Sequence, residues 1–111
     1  MNNVLGYGFL EKVYENAMKL ELTKMGLKVG RQKNIIVYYE EKEVGNYFAD
    51  LVVNDLVVIE LKAAASLCEE YEYQLINYLK ATNIEVGLLL NFGKRPEFKR
   101  KIFTNNRKNN P

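Results

Sequence analysis

Tyr47-Phe-Ala-Asp-Leu-Val-Val-Asn-Asp-Leu-Val-Val-Ile-Glu-Leu-Lys-Ala63 is the stretch whose reading decides the fold. It reads as two apolar strands joined by a tight turn at Asn54-Asp55. Three charges interrupt the apolar text: Asp50 in the first strand, and Glu60 and Lys62 at the end of the second. Strand side chains alternate faces, so Glu60 and Lys62 point the same way. Antiparallel pairing about the turn brings Asp50 opposite Glu60. Two carboxylates against one ammonium in an apolar setting leave excess negative charge, and burying an unpaired carboxylate costs several kcal/mol. A divalent cation offsets that charge. Mg²⁺ suits the setting, because it takes oxygen ligands and keeps waters and substrate phosphate in its shell.

Working outward, residues 9–25 read as an amphipathic helix with Leu10, Val13, Tyr14, Ala17, Leu20 and Met25 on its apolar face and Gly26 as its stop. Leu27 to Gln32 reads as a connector, Asn34 to Glu40 as a β-branched and aromatic strand, and Glu41-Lys42-Glu43 as a turn. Strands follow over Val44–Val53 and Leu56–Ala63. The unalternating Leu-Val-Val-Ile of the latter predicts a central strand covered on both faces. Ser66-Leu-Cys-Glu69 predicts a capping box opening a second helix that runs to about Thr82, with Tyr71, Leu75, Tyr78, Leu79 and Thr82 on one face and Gln74 beside it. Glu85–Asn91 is a further apolar strand, and Phe98–Phe103 a short basic edge strand. The order is helix, three strands, helix, strand, an α/β fold with a mixed central sheet.

The 111 residues suffice for one core, and no apolar run approaches the length of a membrane span. No signal peptide is legible, and a cytoplasmic location is the expectation. Histidine is absent and cysteine occurs once, as Cys68. Histidine general bases, histidine-ligated metals, cysteine-pair zinc sites and internal disulfides are thereby excluded. Chemistry must rest on carboxylates, lysine, tyrosine or a hard metal. From Lys94 onward there are seven basic residues and one acid, behind a body with nine basic residues and thirteen acids. Residues 1–103 are expected to form one domain, and 104–111 a polar, basic, disordered tail.

The spacing Asp50-x9-Glu60-x-Lys62 within that element order resembles the PD-(D/E)XK nuclease superfamily, with its restriction-endonuclease-like core. The likeness tightens at Gly6-Tyr-Gly-Phe-Leu-Glu-Lys-Val-Tyr14, Tyr47-Phe-Ala-Asp50, Glu60-Leu-Lys-Ala63, Gln74-Leu-Ile-Asn-Tyr-Leu-Lys80 and Gly87-Leu-Leu-Leu-Asn-Phe92. Together, in order, these motifs are similar to the GxxExxY branch. The chain departs from the branch in having little helix ahead of the glycine turn. The resemblance implies a metal-dependent phosphodiesterase acting on nucleic acid, DNA above all. Asp50, Glu60 and Glu11 would be the ligands of Mg²⁺ or Mn²⁺. Lys62 would position water or stabilise transition-state charge, and Gln74 would orient the nucleophile or a phosphate. Two other readings stand beside it: a non-cutting module that binds nucleic acid or protein on a nuclease-like fold, and a purely structural Glu60–Lys62 ion pair. No helix carries a dense basic face, so a core this small is expected to need a second copy, as a homodimer, or another partner to grip its substrate.

Overall fold

The computed structural model describes residues 5–108. Its elements are α1 (Glu11–Lys24), β1 (Val29–Tyr39), β2 (Lys42–Val53), β3 (Val57–Lys62), α2 (Glu69–Lys80), β4 (Val86–Asn91), β5 (Glu97–Ile102) and a 3-10 turn at Asn105–Arg107. The five strands form one sheet in chain order. Neighbours pair antiparallel except β3 and β4, which are parallel, as strands joined through a crossover helix must be. The sheet is therefore mixed and β3 is its centre, the position its unalternating apolar run predicts.

Each face of the sheet carries one helix and one core. On the α2 side, Leu75, Tyr78 and Leu79 pack against Ile35, Ala49, Val52, Val58 and Leu89. On the α1 side, Tyr14 packs with Leu51, Val53, Ile59, Leu61 and Phe92. The register Leu51↔Ile59, Val52↔Val58, Val53↔Val57 sorts β2 and β3 residues between these cores by alternation. The expected Asn54-Asp55 turn forms, with φ of 52° and 54°, left-handed values that asparagine and aspartate tolerate.

Several boundaries differ from the sequence reading. β1 begins at Val29 rather than near Asn34, because Val29 pairs with Val53; the polar run Arg31-Gln32-Lys33 conceals it. The turn between β1 and β2 lies at Glu40-Glu41, where both φ values are positive. Helix α2 starts at Glu69 with Cys68 as N-cap and no side-chain cap hydrogen bond, so Ser66 is not the head of a capping box. The preceding segment is held elsewhere: Asn91 Oδ1 accepts from the Ala64 amide at 2.9 Å, and its Nδ2 donates to the Ala64 carbonyl at 3.0 Å. Helix α1 buries Tyr14 of the expected face but turns most of the rest of that face to solvent. Tyr14 and Glu15 are buried, with Met18 and Leu22 packed beside them, whereas Leu10, Leu20 and Met25 are exposed. The helix carries two apolar stripes, and its polar anchors choose between them. Tyr14 stacks on Phe92 at 4.6 Å and donates its hydroxyl proton to the Gly6 carbonyl, while Glu15 pairs with Arg31.

Within 104–108, a 3-10 turn forms and the Lys108 ammonium donates to the Thr82 and Ile84 carbonyls at 2.9 and 2.8 Å. These carbonyls follow α2 and lack helical partners, which gives a nearby ammonium three-donor chemistry something to satisfy. Residues 109–111 of the expected tail lie outside the described residues.

Candidate active site

The β2–β3 ladder is short. Its pairs end at Leu51↔Ile59, and beyond them the two strands part. Asp50 and Glu60 stand at the mouth of that fork, on facing strands. Asp50 Oδ2 accepts from the Leu61 amide at 2.8 Å, so a side chain takes the β3 donor where the ladder has ended. Glu60 is buried, at 7% exposure, and its Oε1 has no hydrogen-bond partner among the described residues. Burial, and then the neighbouring Asp50 charge, push the Glu60 carboxyl up to about 9, with Lys62 opposing only in part. The pair is thus short of positive charge in the way the residue pattern implies.

Lys62 does not supply that charge as a salt bridge. Its ammonium lies over the Tyr71 ring of α2, 4.6 Å from the centroid. Both Lys62 and Glu60 face α2, as their spacing requires. Tyr78 lies below them, and burial, Glu60, Asp50 and Tyr47 push its phenol up to about 12, with Gln74 pulling the other way. Gln74 itself is exposed on α2 and borders a cleft lined by Tyr47, Tyr71, Tyr73 and Tyr78.

Glu11 reaches the end of β3 from the other face. Its Oε1 accepts from the Ala63 amide at 3.4 Å. The glycine turn explains this placement. Gly6 and Gly8 have φ of 69° and 103°, and the buried Tyr14 hydroxyl ties the turn down by donating to Gly6 O at 2.6 Å and accepting from the Phe9 amide at 3.3 Å. The Gly-x-x-x-x-Glu-x-x-Tyr spacing is therefore a device that fixes the start of α1 against the end of β3. At the same end, Asn91 and Gly93 clamp Ala64; a Cβ at Gly93 would sit 1.9 Å from the Ala64 carbonyl oxygen. Glu11 and Asp50 line one open cleft of about 420 Å³ with Lys12, Glu15, Arg31 and Gln32. Glu11 is nonetheless apart from the Asp50–Glu60 pair: among the described residues no three acidic or thiol side chains gather closely enough to hold a metal ion.

Sequence reasoning missed Glu15, Arg31 and Gln32. Glu15 is 4% exposed and its Oε2 accepts from Arg31 at 2.9 Å. Gln32 lies between Glu15 and Asp50. The available signal was Glu15 at i+4 from Glu11, on the same helical face; its partners sat in a stretch that read as a connector.

Comparison with known proteins bears on the family and the fold. The family model of the PD-(D/E)XK nuclease superfamily matches residues 1–101, and the chain belongs to that superfamily. The fold is also that of a solved protein, SSO0001, with a TM-score of 0.66 over 84% of this chain at 17% identity. This chain spans 50% of that protein's length. No curated protein matches the sequence. Among the described residues, no helix is long and apolar enough to cross a membrane.

Proposed function

We propose that this chain is a metal-dependent nuclease module of the GxxExxY branch, hydrolysing phosphodiester bonds in nucleic acid, with DNA as its substrate. The observation that carries this reading is the buried, unpartnered Glu60 oxygen beside Asp50. Such a pair is costly by itself and fits Mg²⁺ or Mn²⁺, which prefer carboxylate oxygens. Asp50 and Glu60 would hold the ion, with Glu11 as the third acid drawn from α1. The ion, when bound, supplies positive charge to the phosphate and makes water more acidic.

The protein's own groups do the rest. The Leu61 amide fixes the direction of Asp50. Lys62, half-buried with its ammonium over the Tyr71 ring, stabilises the negative charge that grows on the phosphate oxygens. Gln74 orients the phosphate or the attacking water from the α2 side. With no histidine in the chain, proton transfer falls to carboxylate, lysine or water.

One observation favours a second reading. Glu11 is engaged with Ala63 rather than with the pair, which fits a module that grips nucleic acid without cutting it. Incubation of single-stranded and duplex DNA with Mn²⁺ separates the two. The nuclease reading expects cleavage by wild type and at least a 100-fold loss in Lys62→Ala with its melting temperature preserved. Equal cleavage by Lys62→Ala would remove Lys62 from the mechanism, and DNA binding without cleavage by wild type would establish the second reading.

A further inference from the structure

Gln32 stands out as a strained residue with no role in the sheet. It adopts φ of 53° inside β1, a left-handed conformation that glutamine, with no short side chain to bond its own backbone, enters at a penalty. The ladder skips it: Arg31 pairs with Leu51 and Lys33 with Ala49, leaving Gln32 and Asp50 facing each other without a bridge. At this level the β1–β2 ribbon also changes faces. Leu51 and Val53 pack on the α1 side, whereas Ala49 and Ile35 pack on the α2 side, although all four are odd-numbered. Strain held at such a point is informative when the surroundings enforce it.

We propose that Gln32 is a positioning residue for the Asp50–Glu60 pair, held in place by the buried Glu15 carboxylate and its partner Arg31; the inference rests on the metal-binding reading above. The chain of contacts runs as follows in space. Arg31 occupies Glu15 Oε2 at 2.9 Å. The other oxygen, Oε1, accepts from the Gln32 amide nitrogen. The same nitrogen reaches Asp50 Oδ1 at 3.4 Å. Only the nitrogen end of the amide can face two carboxylates, because the oxygen end would be repelled by both. Asp50 then has one oxygen turned by Leu61 and the other by Gln32, and its remaining lone pairs are aimed. Groups that orient a carboxylate in this way affect metal affinity by about 10–100-fold when removed.

The left-handed backbone makes the test sharp. Gln32→Gly relieves the strain and removes the amide, so stability and metal affinity should move in opposite directions. Mn²⁺ titration by calorimetry and thermal melting are measured on wild type, Gln32→Gly and Gln32→Asn; asparagine tolerates the backbone but is too short to span both acids. The expected result is a melting temperature held or raised and Mn²⁺ affinity weakened at least 10-fold in both variants. Unchanged Mn²⁺ affinity would overturn the role of Gln32, as would a parallel fall of affinity and melting temperature, which marks a structural residue. Absence of Mn²⁺ binding by wild type would instead overturn the metal-binding reading and this inference with it.

Discussion

The two ends of the β2–β3 hairpin are built from neighbouring residues of one stretch and behave in opposite ways. At the turn end, Val52, Val53 and Val58 are buried in ladder register, and Asn54 closes the strands with left-handed backbone and bonds to Lys28 through both its amide and its side chain. Donors and acceptors there find partners. At the other end the ladder stops one residue short of Asp50 and Glu60, and the last buried carboxylate is left with an unpartnered oxygen. The same hairpin thus gives stability at one end and holds a buried carboxyl with an unsatisfied oxygen at the other. The contrast teaches that the fork, rather than the presence of acids as such, makes this a site: continued pairing would have exposed neither the Leu61 amide to Asp50 nor the carboxylates to a ligand.

The largest expected effect separates the ends by pH. In metal-free buffer the folded protein keeps Glu60 protonated up to about 9, whereas the unfolded chain releases that proton near 4.5. Between those values the folded state binds more protons, so this contribution is complete below 4.5 and is lost as pH rises through 9. The slope is at most about 1.4 kcal/mol per pH unit. Denaturant titrations across this window should show it, and Glu60→Gln should flatten it. A wild-type slope that survives in Glu60→Gln would place the proton elsewhere. At the sealed end, Leu75→Ala removes a fully buried side chain that packs on Val58 and Val52. It should cost about 2–5 kcal/mol with little pH dependence; a strong pH slope unique to this variant would break the division between ends. The smallest effect concerns the glycine turn. Tyr14→Phe removes the bond to Gly6 and should cost about 1 kcal/mol. Hydrogen exchange should then rise at Phe9 and Ala63, and unchanged protection at both would mean that Tyr14 does not fix Glu11.

Much of this was legible from residue pattern. The Asn54-Asp55 turn, the central place of β3 and the order of elements follow from apolar runs and turn chemistry. The face of α1 was only partly legible: Tyr14 was placed on it correctly, but Leu10, Val13 and Leu20 make as regular a stripe as Met18 and Leu22. Long-range polar contacts, Tyr14 to Gly6 and Glu15 to Arg31, decide between them. Gln32 was hidden for a related reason: its meaning lies in a left-handed φ and in two carboxylates from other elements, neither of which local spacing encodes. The separation of Glu11 from the acid pair is likewise set by tertiary geometry, through its contact with Ala63.

The most direct test of the central claim is Mn²⁺ titration by calorimetry on wild type and on the Asp50→Asn/Glu60→Gln double variant. The fork account predicts stoichiometric binding by wild type with uptake of Mn²⁺ coupled to proton release from Glu60, and no binding by the double variant. Equal binding by both proteins, or none by wild type with or without DNA, would contradict it.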